Sequence, residues 1–136
     1  MTPRITQSEA DTIAAGRELG GRLGPGAVVL LEGPLGAGKT AFVRGLAEGL
    51  GCDGGDVSSP TFTIVQEYRG RVTLQHVDLY RLAPAEVDDL ALEDLMSGTV
   101  IAVEWPDRWR DAPADAISVK IAPLGGDRRE IVITGP

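Results

Sequence analysis

Gly33-Pro34-Leu35-Gly36-Ala37-Gly38-Lys39-Thr40 has the spacing G-x-x-x-x-G-K-[ST]. Glycines at these positions let the backbone curl until successive N–H groups converge on one point. Immediately before the stretch, Ala27-Val28-Val29-Leu30-Leu31 is a continuous apolar run, the pattern of a strand buried on both faces. Immediately after it, Phe42, Val43, Leu46, Ala47 and Leu50 fall on one face of a helix. A strand, a glycine-rich turn and an amphipathic helix in this order form a phosphate-binding unit. The helix beginning near Lys39 adds its positive N-terminal dipole, Lys39 can reach the β- and γ-phosphates, and the Thr40 hydroxyl can ligate Mg²⁺. The plain alternative is a glycine turn that merely joins strand to helix. Against it stands the lysine. The chain uses eleven arginines and two lysines (Lys39 and Lys120), and one of the two sits where a compact ammonium serves better than a guanidinium fork.

The 136 residues fit one domain, residues 1–136, on the usual prior of roughly 100–200 residues each. Apolar residues make up 43% and charged residues 24%, ordinary values for a globular chain. No run approaches a membrane span, and Met1-Thr2-Pro3-Arg4 lacks the apolar stretch of a secretory signal. Cys52 is the single cysteine, which excludes an internal disulfide and a cysteine-rich metal site. The expected compartment is the cytoplasm, with no membrane partner. Net charge is −7, with 20 acidic against 13 basic residues and no long basic run. Nucleic-acid binders carry a basic footprint because phosphate neutralisation supplies most of their sequence-independent affinity, so stand-alone binding of tRNA or DNA is disfavoured.

Along the rest of the chain, Ser8 can cap a helix running to about Arg22, with Ala10, Ile13, Ala14 and Leu23 at its small or apolar positions, and Gly24-Pro25-Gly26 stops it. Phe62–Tyr68 and Val72–Asp78 are β-prone runs separated by Arg69-Gly70-Arg71, which predicts a hairpin. Pro84 can open a helix that carries Val87, Leu90, Ala91 and Leu95 inward, with the acidic run Glu86–Asp94 as its solvated face. Val100–Val103 is a second all-apolar strand; Ile117–Ile121 and Glu130–Thr134 form two further strands joined by a turn at Gly125-Gly126-Asp127. The fold class is α/β: a P-loop NTPase-like three-layer domain with a mostly parallel central sheet and antiparallel additions.

A phosphate-binding loop needs an acidic partner for magnesium at the end of a neighbouring strand. Glu104 closes the apolar run Val100–Val103 and fits that role. Asp78 closes Val72–Asp78, a run that alternates more and reads as more peripheral; it suits a second magnesium-shell group or a water-positioning base. Ser59-Pro60-Thr61-Phe62-Thr63 lies about twenty residues beyond Lys39, where switch segments that sense a γ-phosphate occur, although Ser/Thr beside Pro is also common turn chemistry. His76, the one histidine, reads as a packed or hydrogen-bonded strand residue rather than a catalytic one, and Cys52 as an incidental thiol. Trp109, between Arg108 and Arg110, marks either a partner-binding patch or the cover of a sheet edge.

Together these residues resemble the bacterial TsaE (YjeE) family. Four motifs recur in the same order: Gly33–Thr40; Ser59-Pro-Thr-Phe-Thr-Ile-Val65 with Tyr68; His76-Val-Asp-Leu-Tyr-Arg81; and Val103-Glu-Trp-Pro-Asp-Arg108. The resemblance covers nearly the whole chain. It implies a small P-loop ATPase required for making threonylcarbamoyladenosine in tRNA, using ATP and Mg²⁺ and working with TsaB and TsaD. In that family TsaD performs the transfer and TsaE hydrolyses ATP to support turnover. It further implies that Leu35, Gly36, Ala37, Gly38, Lys39 and Thr40 wrap the phosphates and that Thr40 and Glu104 hold magnesium. Thr61 would belong to the switch-like segment, Asp78 would be a further acidic group, and Trp105 would be an important aromatic beside them. Glu9 and the turn around Arg128 would lie near the nucleotide base. Two positions depart from the family pattern: Pro34 replaces a common acidic residue and Ala41 a common second threonine. The lost hydroxyl at Ala41 predicts weaker nucleotide affinity.

The function read from this is a magnesium-dependent ATPase that assists tRNA modification, meeting tRNA only through protein partners. The rival is a small-molecule kinase, which uses the same loop but needs an acceptor pocket and an arginine-bearing lid, for which 136 residues leave little chain. A regulatory GTPase is excluded, because its guanine-reading Asn-Lys-x-Asp motif cannot occur in a chain without asparagine.

Overall fold

The chain runs β1 (Arg4–Thr6), α1 (Glu9–Gly20), β2 (Val28–Glu32), α2 (Lys39–Gly49), β3 (Val65–Tyr68), β4 (Thr73–Asp78), α3 (Pro84–Asp88), β5 (Thr99–Glu104), β6 (Ile117–Gly125) and β7 (Arg128–Thr134), with 3-10 turns at Leu92–Leu95 and Pro106–Arg108. This computed structural model describes residues 3–34, 36–53, 57 and 64–135. Among the described residues the strands form one seven-stranded sheet in the order β1-β7-β6-β2-β5-β4-β3. The middle four, β6-β2-β5-β4, are mutually parallel, while β7, β1 and β3 join antiparallel at the two edges. The mixed α/β architecture is therefore the one expected, down to the antiparallel additions.

Strand parity divides the core. In β2, Val29 and Leu31 face a cluster under α1 and α2 that includes Leu19, Phe42, Val43, Leu46 and Leu50; Val28 faces the opposite cluster with Val87, Leu92 and Trp109. In β5, Val100 and Ala102 join the first cluster, Ile101 and Val103 the second. Each central strand is covered on both sides, which is why these runs are apolar throughout rather than alternating. β4 is more interior than its sequence suggests: it pairs with β5 on one side and β3 on the other, and Leu74 through Val77 are buried.

Ser8 caps α1 as expected, its hydroxyl accepting from the Asp11 N–H at 3.1 Å. The sequence left open which face of that helix is buried. That face consists of Thr12, Ala15, Gly16, Leu19 and Gly20, and Ala10 is exposed. The reason is a glycine seam with α2. A Cβ on Gly16 would stand 2.1 Å from Phe42 O, on Gly20 2.4 Å from Leu46 O, on Gly45 1.8 Å from Ile13 O and on Gly49 2.4 Å from Arg17 O. The two helix backbones touch, and no larger residue fits between them. β1, which the sequence did not suggest, is tied to α1 by the buried Thr6–Thr12 hydroxyl pair at 2.9 Å.

The helix expected after Pro84 breaks. α3 ends at Asp88, Ala91 enters the left-handed region (φ 50°), and Leu92–Leu95 is a separate 3-10 turn. Val87 and Leu92 are the residues buried, and the acidic residues between them stay exposed, as the pattern implied. Trp109 is 4% exposed and belongs to the core on that side, so it forms no surface patch. Among the described residues, no helix is long and apolar enough to cross a membrane.

The glycine seam generates a first prediction. Gly45→Ala gains about 1 kcal/mol of helix propensity but drives a methyl into the Ile13 carbonyl. Overpacking costs of about 1–3 kcal/mol or more win, so urea denaturation should show net destabilisation. Gly21→Ala, at an αR position with only ordinary contacts, should be neutral or slightly stabilising.

Candidate functional site

The carboxyl ends of β2, β4 and β5 lie side by side, the edge at which parallel sheets hold their ligands. β2 runs into the glycine-rich loop. Gly36 (φ 79°) and Gly38 (φ 102°) adopt the left-handed conformation that the motif requires of glycine, and Ala37 N–H closes a turn on Pro34 O at 3.1 Å. Gly38 precedes α2 without a side chain to cap it, so the first N–H groups of the helix remain available to an anion. Leu35 lies outside the described residues.

Parity also aims the side chains. Asp78 and Glu104 are register partners at the ends of adjacent parallel strands, and His76 pairs with Ala102 two residues earlier. Residues 76, 78 and 104 therefore share the sheet face that carries Leu74, Val100 and Ala102, the face covered by α2. Lys39, the first residue of α2, meets them there. Its side chain is 5% exposed; Nζ donates to Gly33 O at 2.8 Å, stands 3.7 Å from Glu104 Oε1 and lies 4.4 Å from the centroid of the Trp105 ring. Trp105 in turn packs against Tyr80, with ring centroids 5.0 Å apart. Its backbone sits at φ 59°, a left-handed conformation that costs a non-glycine residue roughly 1–2 kcal/mol and turns the indole back over the lysine.

Glu104 is held from two directions. Its Oε2 accepts from His76 Nε2 at 2.6 Å, while Oε1 faces the ammonium. Asp78 is less enclosed. Burial raises its carboxyl above the ordinary value, and the Glu104 charge adds to this; the Tyr80 N–H, donating to Asp78 Oδ1 at 2.9 Å, acts in the opposite direction, as do His76 and Lys39.

Beside these groups opens a cleft of about 370 Å³ lined by Glu9, Gly36, Gly38, Lys39, Thr40, Ala41, Arg44, Glu104 and Arg129. The sequence-derived candidates Lys39, Thr40 and Glu104 thus converge on one cavity with Glu9, which reaches it from the far end of the chain because the glycine seam brings α1 close. Glu9 is paired there with Arg44 at 3.4 Å. Arg128 is exposed and does not line the cleft; its neighbour does. Successive strand residues face opposite sides, and Arg129 is the one that turns inward, donating from Nη2 to Gly36 O at 3.3 Å and from Nη1 to Gly126 O at 2.8 Å. Thr61 lies outside the described residues. Sequence reasoning missed Arg44 and Arg129. For Arg44 a signal existed, one turn beyond Thr40 on the same helix.

Thr40 and Glu104 offer a hydroxyl and a carboxylate on one cavity, hard oxygen donors of the kind magnesium takes while keeping waters and substrate oxygens. Among the described residues no group of three or more His, Cys, Asp or Glu could hold a metal by itself. A two-residue donor set fits an ion that arrives with phosphate oxygens, and not a protein-caged one.

A parallel sheet whose central strand feeds a glycine-rich loop and helix, with carboxylates on the neighbouring strand ends, places this chain among proteins of the P-loop NTPase-like α/β fold. Comparison with known proteins narrows this. The family model described as threonylcarbamoyl adenosine biosynthesis protein TsaE matches residues 6–131, and the chain belongs to that family. The tRNA threonylcarbamoyladenosine biosynthesis protein TsaE of Treponema pallidum (strain Nichols) is 40% identical, over 95% of this chain and 97% of its own. The protein of the same description from Bacillus subtilis (strain 168) is 45% identical over 81% of this chain and 70% of its own. The crystal structure of Bacillus subtilis YdiB superposes with a TM-score of 0.80 at 34% identity, covering 98% of this chain and 84% of that one.

The Lys39–Glu104 pair is the contact to probe. A double-mutant cycle with Lys39→Met and Glu104→Gln, read by urea denaturation, should give a coupling energy of about 0.5–3 kcal/mol. Zero coupling would mean that the ammonium and carboxylate do not meet in solution.

Proposed function

We propose that this chain is a magnesium-dependent ATPase that supports formation of the threonylcarbamoyl group on tRNA adenosine in the cytoplasm, acting with TsaB and TsaD. The observation that carries the reading is the convergence of Lys39, Thr40 and Glu104 on one cleft at the start of α2. Family membership supports the pathway, since the relatives are tRNA threonylcarbamoyladenosine biosynthesis proteins.

In this reading the loop amides from Gly36 to Thr40 cradle the β- and γ-phosphates at the helix N-terminus. Bound magnesium, held by Thr40 and Glu104, would neutralise charge on those oxygens. Lys39 would leave Gly33 O to meet the γ-phosphoryl, stabilising the negative charge that develops there during transfer to water. Asp78, beside Glu104 on the next strand end, orients the attacking water through a carboxylate. Arg129 and Arg44 border the same cleft and supply further positive charge toward the nucleotide, while Glu9 at its rim faces the base. Trp105 closes the site over the lysine.

Hydrolysis assays on purified protein, with and without TsaB and TsaD, test this directly, with tRNA modification read by mass spectrometry. Lys39→Ala should lose roughly 100–1,000-fold in turnover with an unchanged circular dichroism spectrum. Glu104→Gln should move the magnesium requirement to higher concentration, and Asp78→Asn should slow turnover with nucleotide affinity little changed. Full hydrolysis by a folded Lys39→Ala protein would remove the basis of the ATPase assignment.

The charge balance yields a further expectation. At net charge −7 the isolated chain should bind fluorescent tRNA weakly at physiological salt, because too few cations are present to release phosphate counterions. Added TsaB and TsaD should supply the RNA contacts, and their association with this chain should respond to ATP. Tight, salt-sensitive binding of tRNA by the chain alone would overturn this division of labour.

A further inference from the structure

His76 is fully buried in β4. Its Nδ1 is buried without a hydrogen-bond partner among the described residues. A ring nitrogen left in that state costs stability, so packing alone would favour phenylalanine or leucine at this position. What the ring provides is Nε2, 2.6 Å from Glu104 Oε2. A carboxylate accepts, so Nε2 carries the hydrogen and donates it. Its register partner on β5 is Ala102, and Glu104 lies two residues further along that strand. With Oε2 fixed in this way, the carboxylate cannot rotate freely, and Oε1 is the oxygen left beside Lys39.

We propose that His76 is a positioning residue: it clamps one oxygen of Glu104 so that the carboxylate is presented to a divalent cation in a single orientation. The proposal rests on the reading of Glu104 as a magnesium ligand and adds to it the group that aims it. Partners that orient a metal ligand typically contribute about 10–100-fold to metal affinity.

The test is a Mn²⁺ titration by electron paramagnetic resonance in the presence of the ATP analogue AMP-PNP. His76→Phe, which keeps the ring volume and removes the donor, should weaken Mn²⁺ binding by roughly 10–100-fold and leave metal-free AMP-PNP affinity at the wild-type level. His76→Gln, whose side-chain N–H reaches about as far as Nε2, should restore most of the Mn²⁺ affinity. A merely structural histidine would instead lower the melting temperature and metal-free nucleotide affinity together, with no rescue specific to the metal.

Because a core variant can fail to fold, the wild type supplies a second reading. His76 is the single histidine, so its Nε2–H gives one imidazole resonance in a ¹⁵N–¹H spectrum. That resonance should shift when Mg²⁺ is added to the AMP-PNP complex. A folded His76→Phe protein with wild-type Mn²⁺ affinity, or an Nε2–H signal indifferent to Mg²⁺, overturns the role of His76 alone. Absence of any Mn²⁺·AMP-PNP binding by the wild type overturns the ATPase reading and this proposal with it.

Discussion

A buried ammonium has to be satisfied, and the one on Lys39 organises the site. At 5% exposure it depends on Gly33 O at the end of β2, on Glu104 at the end of β5 and on the face of Trp105 just beyond. Each partner comes from a different stretch of chain, so one charge ties the loop, the first turn of α2 and the turn after β5 into a single geometry. The left-handed backbone of Trp105 is part of that arrangement: the strain brings the indole over the lysine instead of letting the chain continue outward from the strand. The lysine head is thus held at the mouth of the loop by contacts within the chain itself.

The second constraint is steric. Four glycines let α1 and α2 approach until carbonyls of one helix occupy the space where the other would have carried methyl groups. This contact contributes dispersion along its length, and it also sets distance. Only at this separation can Glu9, from the first turn of α1, pair with Arg44 and share a cleft with Lys39. A seam of larger residues would hold the helices apart and open the rim of the site.

Electrostatically the cleft differs from the molecule around it. The chain carries 20 acidic and 13 basic residues, yet Lys39, Arg44 and Arg129 line one cavity against Glu9 and Glu104. Arg129 reaches there from the opposite end of the sequence because β7 folds back along β6, and its guanidinium rests on the Gly36 carbonyl. An acidic protein can therefore gather positive charge within one pocket.

The sequence by itself determined the strand–loop–helix unit around Gly33–Thr40, the α/β class with antiparallel additions, and Lys39, Thr40 and Glu104 as members of one site. Those readings rest on local features: an apolar run, a glycine spacing, and a carboxylate or cap at a strand or helix end. Each is written within about ten consecutive residues, and the backbone conformations involved are short-range choices. What only the tertiary structure decided depends on pairing across the chain. The buried face of α1 could not be read from the sequence because two of its buried positions are glycines, whose lack of a side chain is a signal only once a second helix lies against them. The helix after Pro84 was drawn too long because Ala91 leaves helical geometry to set Leu92 beside Val87 in the core, a packing demand that overrides an unbroken helical pattern. The inward turn of Arg129, and His76 behind Glu104, follow from strand parity and register. Parity can be counted in a sequence, but which face meets α2 is fixed only when the strands are side by side, since a shift of one residue sends every side chain to the other face.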